Sequence, residues 1–447
     1  MTLRDRQAVR AFRHRNYRLF FGGQLISLIG TWMQQVAQAW LVLLITGDPF
    51  WLGVVTAAQF VPVMVFGLFA GILADVLPKR QTLVGAQAAM MILAAVLAVL
   101  TVTGLVEVWM IVVLALLLGC ANAVDMPVRQ AFVVEIVGRE DVGNAVVLNS
   151  AMFNGARIVG PAIAGLTIGA FGPAMAFALN AVSYVAVIAG LLAMRAADLR
   201  TPPTVDRPHS VGEVTAQLRE GIGYVRHTPP VLLSVVVVGL VATFGMNFQV
   251  VVPVIARDVL LSDASGFGFL MTASGVGSLA AAAWLAVAGG RPRPMRIVVG
   301  AIVIGAADLL LAFSGLFPVS MLLMVAIGAG GITMAAVANT TIQLNVPDRL
   351  RGRVMSVFTT VFAGSMPVGG LLTGALASTA GVAVAVAVGG AGALAVGLIA
   401  LVWLRRQPMD VMRPPAVGRA GRVPVPAPLA EAGAGAEVVG RPAARSR

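Results

Sequence analysis

Three ionisable side chains lie inside long apolar segments, and they are the residues best suited to chemistry. Arg157 lies within the segment from Asn144 to Gly172, Asp125 near the end of an earlier segment, and Asp308 in a later one. A charge near the centre of a bilayer costs from about 2.5 to more than 10 kcal/mol, so it must face a protein interior or a watery cavity. All three are candidates for proton coupling. The alternatives are a structural hydrogen bond for Asp308 and gate structure for Asp125.

A second group of candidates consists of uncharged polar residues. In the first apolar segment they recur every three or four positions, which places them on one helix face. Because amides facing lipid would lack partners, this face is expected to look inward. With amides of later segments they predict a mixed apolar and amide-lined cavity that suits a bulky amphipathic solute, although each could instead make an interhelical hydrogen bond. The residues proposed to line it are Gln24, Thr31, Gln34, Gln38, Asn122, Asn247 and Asn339.

The segments that carry these residues are typical of a membrane protein. The chain has 447 residues, of which 59% are hydrophobic and only 11% charged, against about 25% charged in soluble domains. Segments of roughly 20 apolar residues can cross a bilayer, and their backbone amides must be satisfied within helices. The sequence therefore predicts an all-α membrane protein with twelve transmembrane helices. They are expected at 19–45, 51–74, 82–103, 109–129, 144–170, 174–194, 231–256, 266–288, 297–315, 318–340, 354–378 and 382–404.

The two halves of the chain are related by an internal repeat. Five glycines recur at a constant offset without a gap, which indicates a parallel repeat of the kind found in secondary transporters. Two pseudo-symmetric six-helix bundles are therefore predicted, at 1–195 and 231–404, with a linker at 196–230 and a disordered tail at 405–447. Arg157 falls opposite Met366, so this charge belongs to the first half only. The matching pairs are Gly119 and Gly328, Gly143 and Gly352, Gly155 and Gly364, Gly160 and Gly369, Gly165 and Gly374.

The positive charges predict the orientation. Of the 31 lysines and arginines, 29 fall on the segments that share a side with the termini, and the exceptions are Arg157 and Arg257. Both termini are thus expected in the cytoplasm. This distribution also accounts for the net charge of +12 without a nucleic-acid partner. In the linker, residues 211–227 could form an amphipathic helix at the inner surface.

The loop after the second segment runs from Gly71 through Leu73 and Asp75 to Lys79 and Arg80. It resembles the loop between helices two and three of major facilitator superfamily transporters, which carries Gly-x-Leu-x-Asp-Arg-x-Gly-Arg-Lys. Val76 and Pro78 depart from that pattern. The resemblance implies the major facilitator fold, with Asp75 docked against the inner end of helix eleven in an outward-facing state. For the two cations, the alternative is ordinary positive-inside topology.

Two further motifs resemble the exporter branch of the superfamily. The stretch from Ala156 to Gly165, with Gly160 and Pro161, is similar to the antiporter signature of helix five, which implies outward transport; a packing kink without bearing on direction is the alternative. The stretch from Asp125 to Phe132 is similar to the transmembrane secretion effectors, and Arg129 could pair with Asp125 four residues earlier or reach Asp75. The arginine that proton antiporters carry earlier in helix four is absent, and Arg157 is its proposed substitute.

Signals of other chemistry are missing from the sequence. It has no phosphate-binding loop, and its three histidines lack metal-ligand spacing. We therefore expect neither an enzyme nor a cofactor nor a metal. The expected protein is a monomeric, multi-pass exporter of the cytoplasmic membrane that moves a hydrophobic or amphipathic small molecule, such as a drug or siderophore, in exchange for protons. An importer or facilitator of the same fold is the alternative, and a membrane receptor or assembly protein a further one.

Overall fold

The structure is a computed structural model, and it describes residues 9–200, 211–289 and 293–408. The side chains of residues 67–76 and 211–217 lie outside this description. The predicted tail is therefore described only to residue 408, and the side chain of Asp75 is not among those described. Gly71 lies in the same stretch.

Twelve helices in the described chain are long and apolar enough to cross a membrane, which confirms the predicted count. The seventh is interrupted and comprises Pro229–Gly245, Phe248–Val254 and a π-helical turn at Ile255–Val259. The helices are α1 Arg15–Thr46, α2 Pro49–Val76, α3 Lys79–Val102, α4 Val108–Val137, α5 Val142–Phe171, α6 Pro173–Leu192, α7 Pro229–Val259, α8 Ala264–Ala288, α9 Met295–Ala312, α10 Phe317–Asn345, α11 Asp348–Ala380 and α12 Val382–Arg406.

Helix ends follow from local sequence. Gly47 adopts a left-handed conformation with φ of 64° and ends α1, a geometry that costs glycine nothing. The carboxylate of Asp263 accepts hydrogen bonds from the backbone of Ser265 and Gly266 and so caps α8. Helices α4 and α11 extend past their predicted inner limits, at 129 and 354, by eight and six residues. The α11 extension is polar, so hydropathy does not assign it to a span, whereas the α4 extension is largely apolar but begins after Arg129 and contains Glu135.

The helices form two bundles with the same internal packing. In the first, α1 packs on α5 and α6, α2 on α4, and α3 on α4 and α6. In the second, α7 packs on α11 and α12, α8 on α10, and α9 on α10 and α12. Each pair of one bundle has its counterpart six helices later. The predicted two-bundle fold is therefore confirmed, and α2 with α11 and α5 with α8 form the main contacts between the bundles.

Each bundle also fixes the segment that precedes its first helix. In the first bundle, Arg13 and His14 both lie 2.8 Å from Oδ2 of Asp141, in the loop between α4 and α5. Arg10 Nε lies 2.8 Å from Oδ1, although that oxygen accepts no hydrogen bond with good geometry. Burial raises the pKa of Asp141, but His14 and the two arginines outweigh it and hold this pKa below its ordinary value.

We call this contact between the preceding segment and the bundle the clamp. In the second bundle its charges are reversed, because the preceding segment supplies the carboxylate and α11 supplies the arginines. The predicted linker helix exists at Val211–His227, and its Glu220 pairs with Arg353 and lies 3.8 Å from Arg349 at the start of α11. Tyr224 donates a 2.7 Å hydrogen bond to the carbonyl of Asn345. The linker helix is thus bound to the α10–α11 end of its bundle, as the N-terminal segment is bound to the α4–α5 loop.

Candidate functional site

Arg157 lies on the face of α5 that looks toward the crevice between the bundles. One helical turn later, Gly160 packs against Trp32 of α1. The backbone carbonyl of Arg157 lies beside Gly275 of α8. The guanidinium carbon is 5.8 Å from the centre of the Trp32 ring, within cation–π range. Among the described residues it has no acidic partner. This charge therefore faces the protein interior, and its one described stabilising contact is aromatic.

The halves of the bundles that lie away from the chain termini, called outer here after the predicted orientation, are in close contact because glycines face each other. In the α5–α8 pair, a Cβ added at Gly268 would collide with the carbonyl oxygen of Pro161 and lie 2.9 Å from the Cα of Gly165. In the α2–α11 pair, a Cβ at Gly53 would collide with the carbonyl of Gly370. Small residues allow membrane helices to approach to backbone distance. The Gly160–Gly165 motif thus contributes to both faces of α5, against α1 and against α8.

Polar contacts between α1 and α7 extend this outer seal. Gln249 donates a 2.9 Å hydrogen bond to Oε1 of Gln35. Arg257 donates to the carbonyl oxygens of Leu43, at 3.1 Å, and Gly47, at 3.4 Å, at the C-terminal end of α1. Asp258 holds the same guanidinium through Nε and Nη2. A cation at a helix C-terminus is favourable, so Arg257 joins the two bundles across their outer ends.

The described hydrogen bonds between the bundles do not extend to the side where α1 begins. In the described chain, the hydrogen bonds between bundles are those of Gln249, Arg257 and Thr272, and none lies nearer to the termini than the Thr272–Ile158 bond. Further toward the termini, α5 exposes Val147 and Phe153, with 64% and 47% of their surface accessible. The described hydrogen bonds between the bundles therefore lie in the middle of the helices and toward the ends away from the termini.

Asp125 is fully buried and already has partners. Its Oδ1 accepts a 2.7 Å hydrogen bond from Gln87 of α3, and its Oδ2 pairs with Arg129 one turn later on α4. The four-residue spacing allows this pair because both side chains share a helix face. Arg129 is therefore engaged by Asp125, and the cluster connects α3 to α4 inside the first bundle.

Asp308 is in a different situation. It is 7% exposed, in α9, and no hydrogen bond or ion pair to it occurs among the described residues. Its neighbours are glycines: a Cβ built at Gly245 of α7 would lie 3.2 Å from Oδ2, and one at Gly390 of α12 would lie 2.9 Å from the Cβ of Asp308. The carboxyl group lies where α7 is interrupted.

The proposed cavity residues separate into two groups. Gln34 accepts a 2.6 Å hydrogen bond from Asn180 of α6, and Gln24 is 3% exposed, so both lie inside the first bundle. Thr31 donates to the carbonyl of Ser27 within its own helix. Gln38, in contrast, lines a small cavity between α1, α2 and α7. The periodicity defined one face of α1 but not the neighbour it meets. That cavity is lined by Gln35, Gln38, Ala39, Leu52, Val55, Thr56, Gln59 and Gln249.

The three asparagines are spread over the interior. Asn247 lies at the interruption of α7, where it donates a 2.8 Å hydrogen bond to the carbonyl of Thr243 and packs against Gly369 of α11. Asn339 of α10 is partly exposed and accepts a 2.5 Å hydrogen bond from Gln343. Asn122 of α4 is also partly exposed. Among the described residues, no hydrogen bond joins these asparagines to the α1 glutamines.

The basic pair of the α2–α3 loop contacts neighbouring helix ends. Lys79 pairs with Glu135 of α4 at 2.6 Å. Arg80 donates to the carbonyl oxygens of Leu191 and Leu192, at 2.8 and 2.7 Å, at the C-terminus of α6. These contacts hold α3, α4 and α6 together at the side of the termini. The docking of Asp75 on helix eleven falls outside the described side chains.

Sequence reasoning missed Gln35, Gln249 and Arg257. Arg257 could have been noticed in the sequence, because it is the single arginine that lies outside both the predicted spans and the segments on the side of the termini. The outer seal depends on how the two bundles meet, and that information lies in no single segment.

The fold and crevice define the class of this protein. Twelve helices in two six-helix bundles around a central crevice are the architecture of major facilitator superfamily transporters. Two solved structures share this fold: an auto-inhibited peptide transporter of the POT family has a TM-score of 0.67 at 15% identity, covering 88% of this chain and 98% of that one. An inward-facing, occupied bacterial homologue of the lysosomal transporter Spinster has a TM-score of 0.66 at 12% identity, covering 90% and 99%.

Sequence comparison identifies the branch. Residues 7–418 match the transmembrane secretion effector family, so the chain belongs to that family of major facilitator transporters. It is 24% identical to the staphyloferrin A transporter of Staphylococcus aureus, over 81% of this chain and 90% of that protein. It is 28% identical to the multidrug efflux pump Tap of Mycolicibacterium fortuitum, over 77% and 85%, and 23% identical to macrolide efflux protein A of Streptococcus pyogenes, over 83% and 92%. The protein is a multi-pass protein of the plasma membrane.

Proposed function

We propose that this protein exports a hydrophobic or amphipathic small molecule, such as a drug or siderophore, by alternating access coupled to proton entry. The observation that carries the proposal is the one-sided contact between the bundles, made by Arg257 and the glycine pairs at the ends away from the termini; we propose that the bundles enclose a crevice that is open at the other ends. Its relatives are named as efflux pumps and as a siderophore transporter. Transporters of this fold work by rocking two bundles around a central site.

The direction of export rests on the orientation of the chain. We place both termini in the cytoplasm because 29 of the 31 lysines and arginines fall on the segments that share a side with the termini. The open crevice then faces the cytoplasm, where an exporter collects its substrate. One chain encloses the whole crevice, so we propose that the monomer is the transporting unit. We propose that residues 196–230 form the linker between the two bundles, 1–195 and 231–404, which move relative to each other.

The substrate class follows from the lining of the crevice. Trp32 and Phe153 lie with ring centres 5.7 Å apart, and Arg157 lies over Trp32. This aromatic surface with one cation suits a large amphipathic molecule that carries apolar area and at least one polar or anionic group. The amide-lined cavity at Gln38 adds hydrogen-bonding capacity further out. A small hydrophilic sugar would leave the aromatic surface without apolar contact.

An export assay tests this proposal. Cells that produce the protein should retain less ethidium, erythromycin or staphyloferrin A than cells with empty vector, and a protonophore should abolish the difference for the transported probe. Accumulation of a probe above the control would indicate import instead. Efflux that persists after the proton gradient has collapsed would contradict antiport, and absence of any movement in proteoliposomes would contradict transport.

The Arg157→Ala variant tests the aromatic and cationic surface in the same assay. We expect export of the transported probe to fall about tenfold or more, since a buried cation–π contact and any polar contact to substrate are lost together. Arg296→Ala is the matched control, because Arg296 lies over Trp284 at 5.0 Å within the second bundle and away from the crevice. Normal export by Arg157→Ala would assign Arg157 a purely structural role.

A further inference from the structure

The interruption of α7 creates an unusual environment around Asp308. Close packing of glycines brings three helices together there, with Gly245 on α7 and Gly390 on α12 both against the α9 segment that carries Asp308. Asp308 is 7% exposed as a residue, and its carboxyl group has no hydrogen-bond or ion-pair partner among the described residues. Its Oδ2 is directed at Gly245, the last residue of the first α7 segment.

This position opposes a negative charge. The C-terminal end of a 17-residue helix carries partial negative charge on its unpaired carbonyl groups. In the described parts of α7, α10 and α12, which pack on α9, charged side chains occur only at helix ends: Arg257 and Asp258 on α7, and Arg405 and Arg406 on α12. On α9 itself the remaining charge is Arg296 at the opposite end. An ionised, unpaired carboxylate there is costly, so the site favours a bound cation.

The interruption also connects this site to the outer seal. Beyond Asn247, the second part of α7 carries Gln249, which bonds to Gln35 of α1, and Arg257, which bonds to the end of α1. A change in the direction of this outer part relative to Pro229–Gly245 would move both contacts together. Asp308 lies at the joint between the two parts, whereas no hydrogen bond, ion pair or ring contact joins Asp125 or Arg157 to α7 among the described residues.

We propose that Asp308 is the binding site of the coupling proton, and that its occupation stabilises the outer seal through the interruption of α7. This rests on the proposed antiport. A proton from the outer side adds to the carboxylate and forms an O–H bond, which removes the charge beside Gly245 and favours the sealed conformation described here. Loss of that proton toward the cytoplasmic side, when substrate occupies the crevice, restores the charge and favours opening of the outer end. No other co-reactant is required.

Transport in proteoliposomes tests the coupling, with the probe that wild type exports best in the assay above. The neutral Asp308→Asn variant should lose accumulation driven by a pH gradient by about tenfold or more, yet still bind the probe in detergent. Asp308→Glu should regain part of the accumulation. Gradient-driven accumulation by Asp308→Asn at the wild-type level would overturn the proposal while leaving the proposed function intact. Wild type that moves none of the probes would overturn the proposed function instead.

Infrared difference spectroscopy tests the site without any substrate. Purified wild type, compared between acidic and alkaline pH, should show the carbonyl stretching band of a protonated carboxylic acid that disappears in Asp308→Asn. The band should remain in Asp125→Asn, because Asp125 already has Arg129 and Gln87 as partners. A band that persists in Asp308→Asn, or is absent from wild type, would overturn the proposal. Loss of the wild-type band on addition of sodium at constant pH would assign the site to sodium and overturn the proton.

Discussion

The two bundles share one helix arrangement but differ in how they hold the buried carboxylates Asp125 and Asp308. In the first, α1 is continuous over 32 residues, Gln34 is bonded to Asn180, and Asp125 is held by Gln87 and Arg129. In the second, α7 is interrupted after Gly245 and the buried Asp308 beside it has no described partner. Paired groups make a bundle rigid, while an unpaired group beside a broken helix can respond to a ligand. We infer that the first bundle is the rigid support and that the second bundle changes its conformation.

The largest effect is expected from removing the paired carboxylate. Asp125→Ala leaves Arg129, whose side chain is 24% exposed, without its partner; breaking a fully buried pair typically costs about 3–5 kcal/mol, and this partly buried one somewhat less. Asp308→Asn removes a charge that has no partner, so its stability should stay within about 1 kcal/mol of wild type. Thermal unfolding in detergent measures both. Equal destabilisation by the two variants would contradict the contrast between the bundles.

A bulky residue at Gly268 should prevent closure of the outer end. The Leu side chain in Gly268→Leu cannot fit against Pro161 and Gly165, so the outer-sealed conformation should be lost and export should fall about tenfold or more. Gly85→Leu is the matched control, because a Cβ at Gly85 meets nothing within 4 Å. Modification of Gln38→Cys by a membrane-impermeant maleimide, in a Cys120→Ser background, should be fast in Gly268→Leu and slow in the control. Slow modification in both would argue against a seal at this position.

Arg257→Ala should weaken the seal without abolishing it. It removes two hydrogen bonds to the end of α1, and charge-assisted bonds of this kind contribute about 1.5–3 kcal/mol when buried, less at this partly exposed site. The ratio of open to sealed outer ends should therefore rise roughly 3- to 10-fold. The same Gln38→Cys modification rate reports it. An unchanged rate would show that the contacts of α7 with α1 are incidental to sealing.

The smallest effect concerns the clamp at Asp141. The pKa of this carboxyl is held below its ordinary value in the folded protein, so its contribution to stability is complete above about pH 4, the value in the unfolded chain, and is lost as pH falls through the folded pKa. Asp141→Asn should remove that part of the acid sensitivity of unfolding. Identical acid unfolding of wild type and variant would exclude the clamp as a source of stability.

Much of the fold was predictable because it depends on periodicity and hydropathy. Twelve spans, the repeat and the linker helix follow from patterns within single segments. Contacts between segments do not: the pattern of Gln34 gives a helix face but cannot show that Asn180 lies opposite it. The interruption at Met246 and Asn247 carries no proline of its own, and the outer contacts of Arg257 arise only when both bundles are assembled. From the sequence, Asp308 could be a structural hydrogen-bonding group or a coupling group, because its lack of a partner becomes visible only in the folded structure.

Rocking of the two bundles under the control of Asp308 is tested most directly by a pair of distances, measured by double electron–electron resonance in the Cys120→Ser background. One label pair replaces Leu44 and Leu261 at the outer ends of the two bundles, and the other replaces Val147 and Leu344 at the ends near the termini; all four residues are exposed. When the pH is raised, the outer distance should lengthen in the same fraction of molecules in which the inner distance shortens, and Asp308→Asn should keep the sealed outer distance at every pH. Distances that do not change, or that lengthen together, would contradict rocking of two bundles under the control of Asp308.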